Sequence, residues 1–225
     1  MESHEVERLY TEKASFYHRL FIDFFRYGAG LKALLRRSNL LRPGIRVLDA
    51  GCGTGILTRN MVEIARERGL EGITFQGFDL TGAMLDLFRA WMIRTGTTDI
   101  ALRQANVLEP GQLPGDWRDY DLIVSSAMLE YLPKPKLKEA LSNLASRLAG
   151  DGTLLVVITR RNFLMKVLIA WWWKANMYER EEIAALFAQA GLVPTFRRFP
   201  FPYVHLNLWG LILEARKEER EPCRV

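Results

Sequence analysis

Residues 47–55 read VLDAGCGTG. A short apolar run, IRVLDA at 45–50, has the continuous hydrophobicity of a strand buried on both faces. Three glycines follow at alternate positions, Gly51, Gly53 and Gly55, and GILTRNMVEIARERG at 55–69 has helical patterning that stops on Gly69. A strand, a glycine turn and a helix bring backbone N–H groups close to a ligand at a strand's carboxyl end. The dinucleotide fingerprint G-x-G-x-x-G asks for glycine three positions after Gly53, where Ile56 stands, which counts against a nicotinamide-dependent oxidoreductase. No G-x-x-x-x-G-K-[ST] string occurs, so the phosphate loop of nucleotide hydrolases is excluded.

Working outward, strands and helices alternate. ITFQGFD (73–79), IALRQANV (100–107), YDLIVSSA (120–127) and GTLLVVITR (152–160) read as strands. GAMLDLFRAWMIRT, with Thr81 as its cap, KPKLKEALSNLASRLAG, ending on Gly150, and EREEIAALFAQAG (179–191) read as helices. VPTFRRF and LNLWGLILEARK close the pattern as two strands joined by a short Pro-rich link, so one of them is expected antiparallel. Residues 4–38 are expected helical, split into two helices by Gly28 and Gly30. Such a pattern predicts a mostly parallel sheet of seven strands with helices on both faces.

Length and composition agree. The chain has 225 residues, 49% of them hydrophobic, which suits one domain with a substantial core. The net charge of +5 comes as scattered basic pairs rather than one run, and no nucleic-acid partner is expected. Cys52 lies in the glycine turn and Cys223 in a charged tail, with no Cys/His cluster, so neither a disulfide nor a metal site is expected. The charged start MESHEVERLYTEK carries no apolar leader, and no apolar run reaches the roughly 18 residues of a spanning helix. A cytoplasmic location is expected.

The string D-x-G-x-G-x-G after a strand resembles the signature loop of class I S-adenosylmethionine-dependent methyltransferases of the small-molecule type. The resemblance runs as a pattern over residues 45–215 and implies a Rossmann-like fold, S-adenosyl-L-methionine as cofactor and S-adenosyl-L-homocysteine as product. It implies a cofactor site of Asp49, Gly51, Cys52, Gly53, Thr54 and Gly55, with Asp49 orienting the loop and meeting the methionine amino group. Asp79, at the end of the second strand, is placed to take both ribose hydroxyls, with Leu80 and Met84 against the adenine. Helix capping is the structural alternative for Asp79. Asn106 and Val107 stand where the family has an Asp and an apolar residue beside the adenine amino group. Asn can accept that bond through its carbonyl oxygen, and a turn-forming role is the alternative. Ser125 and Ser126 fall beside the sulfonium end. Many relatives have His where this chain has Tyr131, after Leu129-Glu130.

The N-terminal helices resemble the family's variable lid, and Tyr10 and Tyr17 resemble its paired tyrosines, with Tyr17 implied at the cofactor. In-line methyl transfer needs alignment and water exclusion more than a strong base. No catalytic triad is found; the candidate catalytic groups are Tyr17, Glu130, Tyr131 and Arg160. Each has a bland alternative: a helix-end pair, a solvated arginine or, for His205, a loop residue. The absence of an Asn-Pro-Pro-Tyr or Asp-Pro-Pro-Tyr string and the apolar character of the added segments favour a small hydrophobic acceptor: a quinone or phenol, a lipid head group or a natural product. The alternatives are a cofactor-binding regulatory or partner protein without catalysis, and a membrane-peripheral lipid methyltransferase.

FLMKVLIAWWWK (163–174) follows the fifth strand and is expected to be an apolar helical insertion. Asn162, Lys166, Ala170 and Lys174 fall on one narrow line of that helix. Three readings stand: core, a lid over the acceptor pocket, or a membrane contact through residues 160–174. The pocket candidates are Tyr10, Tyr131, Arg161, Trp171, Trp172, Trp173 and His205. The expected organisation is one domain: a helical cap (1–42), a cofactor-binding core (43–160), a lid insertion (161–178), a helix and strand pair (179–215) and a charged tail (216–225).

Overall fold

The computed structural model describes residues 26–161 and 175–218. Its elements, in chain order, are α1 (Tyr27–Arg37), β1 (Arg46–Ala50), α2 (Ile56–Arg68), β2 (Thr74–Asp79), α3 (Gly82–Thr95), β3 (Ile100–Gln104), β4 (Tyr120–Ser126), α4 (Leu137–Arg147), β5 (Leu148–Thr159), α5 (Arg180–Gln189), β6 (Leu192–Arg197) and β7 (Gly210–Lys217). The seven strands lie in the order β3-β2-β1-β4-β5-β7-β6. β1 to β5 pair in parallel, and β7 runs antiparallel to both β5 and β6, which bears out the expected antiparallel member. The strand order switches between β1 and β4, and in open sheets of this kind the carboxyl ends at such a switch are where ligands bind.

Alternate side chains of each strand feed two cores. Leu48, Ala50, Ile123, Leu154 and Val156 pack with Leu141 of α4 and Phe187 of α5. Val47, Leu122, Val124 and Leu155 pack on the other face with Leu31 of α1, Met61 of α2 and Phe88 of α3. This period-2 division is why the strands read as continuous apolar runs: both faces are covered. Lys32 bridges Glu63 at 2.5 Å and Glu67 at 3.1 Å, and Arg36 pairs with Glu67, latching α1 onto α2. No helix among the described residues is long and apolar enough to cross a membrane.

Several boundaries differ from the sequence expectation. Gly28 and Gly30 do not split a helix; both lie inside α1, which begins after Arg26 in a left-handed conformation. A Cβ at Gly30 would overlap the Leu206 side chain, so this glycine admits a close neighbour rather than breaking the helix. Gly150 does not stop α4. The helix ends at Arg147, whose guanidinium bonds the carbonyls of Trp117 and Pro110, and Leu148 already pairs with Tyr120. Thr81 stands at the N-cap of α3, but its side chain makes no capping bond. β3 stops at Gln104, because Asn106 turns the chain, and the last strand starts at Gly210, after a 3-10 turn over Val204–Leu208. The expected insertion helix, the first 25 residues and the tail from residue 219 lie outside the described residues.

Candidate functional site

The glycine turn bends because its three glycines adopt positive φ: 71° at Gly51, 52° at Gly53 and 84° at Gly55. Gly51 N and Cys52 N both donate to Phe78 O, at 2.8 and 2.9 Å, which ties the turn to β2. Among the described residues, a Cβ at Gly53 would meet only the Asp79 Oδ2 atom, 4.0 Å away. A Cβ at Gly55 would overlap the Phe88 ring, so that glycine allows α3 to pack on the loop. Gly51 lies equally close to the Met128 side chain, which sequence reasoning did not single out. Thr54 is partly exposed, while Cys52 is buried and its thiol is held well above its usual pKa by desolvation.

Three carboxylates gather along this edge. Asp49 points to the α2 face of β1, and its Oδ2 accepts from Thr58 Oγ1 at 2.6 Å and Thr58 N at 3.2 Å. It is 2% exposed, and burial pushes its pKa up to about 7 against those two bonds. Asp79, at the carboxyl end of β2, accepts from Gly53 N through Oδ2 and from Thr81 N through Oδ1, each at 2.8 Å. Desolvation raises its pKa despite both bonds. Glu130 lies in the 3-10 turn Leu129–Tyr131 beyond β4, 3% exposed. Its Oε1 accepts from Thr159 Oγ1 at 2.8 Å, its Oε2 has no partner among the described residues, and burial pushes its pKa to about 7. The Tyr178 hydroxyl is likewise buried without a partner, its pKa raised first by burial and then by the Glu130 charge.

The remaining predicted residues fall in three places. Leu80 and Met84 flank the start of α3, with Met84 buried. Ser125 and Ser126 end β4; Ser125 Oγ is buried without a partner among the described residues, and Ser126 Oγ lies 2.5 Å from Tyr27 Oη of α1. Tyr131 is buried beside Glu130. Asn106 forms a turn: its Oδ1 accepts from Leu108 N and its Nδ2 donates to Glu109, both at 3.0 Å, while Val107 is buried behind it. Arg160 donates to Asn207 O at 3.1 Å. Arg161 is engaged by Glu182 at 2.7 Å and Glu179 at 3.3 Å at the start of α5. His205 is an exposed residue of the turn before β7. Tyr10, Tyr17, Trp171, Trp172 and Trp173 lie outside the described residues.

Sequence reasoning also missed Thr58, Thr159 and Tyr178. Thr58 had a readable signal, since a hydroxyl in the first turn after the glycine loop lies under the strand-end acid. Thr159 and Tyr178 had none; their meeting with Glu130 depends on β5 and on residues returning after position 174. Asn176 N donates to Glu130 O at 2.8 Å, Tyr178 N to Thr159 O at 3.2 Å and Arg161 N to Tyr178 O at 2.8 Å. These bonds bring residues 161 and 175–178 back to one place, at the ends of β4 and β5.

Comparison with known proteins agrees with this geometry. A family model described as a methyltransferase domain matches residues 21–195. A ubiquinone biosynthesis O-methyltransferase of Marinobacter nauticus is 29% identical over 119 residues, 53% of this chain and 46% of that protein. A magnesium-protoporphyrin O-methyltransferase of Rhodobacter capsulatus is 27% identical over 139 residues, 61% of this chain and 54% of its own length. The chain thus spans about half the length of these two relatives, and 27% of an uncharacterised Synechococcus protein that it matches at 32% identity. Among solved structures, magnesium protoporphyrin IX methyltransferase from Synechocystis PCC 6803 with bound SAH superposes with a TM-score of 0.71 at 18% identity, covering 96% of this chain and all of that one. With its seven-stranded sheet, its glycine loop and a family match over most of its length, the chain belongs to the methyltransferase-domain family and has the Rossmann-like class I fold.

Proposed function

We propose that the chain methylates a small hydrophobic acceptor on oxygen, with S-adenosylmethionine as methyl donor. One observation carries this reading: among the described residues, the backbone at Gly53 has only the Asp79 carboxylate, at the end of β2, beside it. Asp79 accepts from Gly53 N through Oδ2 and from Thr81 N through Oδ1, and a carboxylate at this strand end suits two adjacent ribose hydroxyls. Leu80 and Met84 supply an apolar wall for an adenine. Asn106 Oδ1 keeps one lone pair beyond its own turn. Asp49 suits a cationic amino group, and the unpartnered Ser125 Oγ suits a polar end of the same molecule. S-adenosylmethionine supplies a methyl group already activated on a sulfonium, open to in-line displacement.

The chain's own part is to bind, align and keep water out. Glu130 adds a proton acceptor: its Oε2 is unpartnered among the described residues, Thr159 fixes its Oε1, and its pKa is near the operating pH of a general base. An acceptor hydroxyl placed there loses its proton to Oε2. Oxygen is chosen because the curated relatives above are named O-methyltransferases. Incubation with methyl-labelled S-adenosylmethionine and a panel of phenols, quinols and carboxylic acids tests the reading. The expected result is a methyl ether or ester with matching S-adenosylhomocysteine, and a fall in kcat of about a hundredfold in Glu130→Gln with little change in cofactor affinity. Cofactor binding without turnover on any acceptor would make the chain a binding protein instead.

A further inference from the structure

The link between β6 and β7, residues 198–209, is built with two opposite sides. Phe199 and Leu206 turn inward and are buried against α1. Phe201 and Val204 turn outward, 76% and 53% exposed. The loop is braced: Asn207 Oδ1 accepts from Phe199 N at 2.8 Å, and Asn207 Nδ2 donates to the carbonyls of Val204 at 2.9 Å and Phe199 at 3.2 Å. Its apolar tip is therefore held outward by structure. Three cations surround it. Arg26 lies over the Tyr203 ring at 5.7 Å, Arg37 donates to Phe201 O at 3.4 Å, and Arg198 is exposed beside the tip. None of the three pairs with a carboxylate among the described residues. Neither α1 nor residues 198–209 contains an Asp or Glu.

We propose that this tip docks the enzyme on an anionic lipid bilayer. A phenylalanine three-quarters exposed has no wall beside it, so a protein partner would need a matching pocket, whereas a bilayer interface needs none. An acid-free ring of arginines around apolar side chains complements a negatively charged head-group layer. Position supports the same occupant. Gly210, which follows the loop, pairs with Thr159 at the carboxyl end of β5, and Tyr27 of α1 reaches Ser126 at the end of β4. The tip thus lies at the molecular edge that carries the candidate site. This deepens the proposed function and rests on it for its purpose: a hydrophobic acceptor dissolved in the membrane would meet the enzyme at its open edge.

Vesicle co-sedimentation of the full chain tests the proposal, with phosphatidylcholine alone and phosphatidylcholine mixed with phosphatidylglycerol. Binding is expected to the mixed vesicles and to weaken with added salt. The double variant Phe201→Ser/Val204→Ser is expected to lose about tenfold or more in partitioning, and Arg198→Ala about fivefold. Both variants keep wild-type affinity for S-adenosylhomocysteine, since neither touches the glycine edge. Absence of vesicle binding overturns the proposal, as does binding that survives both variants, which would place the lipid contact elsewhere. A dimer that the double variant makes monomeric, without vesicle binding, overturns it in favour of a contact between copies. Failure of the wild-type chain to bind S-adenosylhomocysteine contradicts the proposed function instead, and the vesicle result stands apart from it.

Discussion

At the scale of single residues, Asp49 makes the sharpest claim. Its pKa near 7 reflects burial, with Thr58 as its donor among the described residues. A cationic amino group binds the charged carboxylate better than the neutral acid, so cofactor affinity is expected to rise with pH through about 7 and to level above it. Calorimetry across that range should show the slope, and Asp49→Asn should flatten it while lowering affinity. Gly55→Ala is a packing test: the new methyl meets the Phe88 ring at a positive φ, and a loss on the order of 2 kcal/mol in denaturant unfolding is expected. Much of this was legible in VLDAGCGTG, because three glycines with an acid two positions before the first specify a strand-end turn. Asn106 was less so. A turn and an adenine contact make the same residue attractive, and only the Leu108 N–H decides what its oxygen does first.

At the scale of elements, Glu182 joins three pieces of chain. It completes the capping box of α5 with Glu179, bridges Lys134 at 2.8 Å and pairs with Arg161 where the chain leaves β5. Glu182→Ala is expected to cost about 1 kcal/mol, the usual value of a helix cap with partly exposed ion pairs, read as a thermal midpoint lower by about 2–4 °C. The strands were readable as apolar runs, and their mostly parallel pairing followed from the alternation with helices. The boundaries that went astray did so for tertiary reasons. Gly30 resembles a helix breaker until Leu206 is seen against it, and Gly150 resembles a helix stop until Leu148 is seen paired with Tyr120. Neither contact is local in sequence. The outward tip at Phe201 was hidden for the same reason, since FPFPYV does not say which of its apolar residues face α1.

At the scale of the whole molecule, the buried acids impose a pH dependence on folding. Asp49 and Glu130 ionise near 7 in the fold and near 4 in the unfolded chain, so the folded state holds the extra protons between those values. Stability is therefore expected to rise as pH falls from about 8 to about 5, as urea midpoints can show, and Glu130→Gln should raise the midpoint at the upper end and reduce the slope. The division of the fold into a sheet, two helical faces and one ligand edge was foreseeable, because the hydrophobic pattern records which surfaces are covered. What the edge receives was not, because an acceptor leaves no fixed motif. The central claim is that the glycine edge and Asp79 hold S-adenosylmethionine. Titration calorimetry of the full chain with S-adenosylhomocysteine, beside Asp79→Ala, tests it most directly. The account predicts saturable one-to-one binding that weakens at least tenfold in the variant, with the fold unchanged by circular dichroism; absence of binding by the wild-type chain, or equal affinity in both, would contradict it.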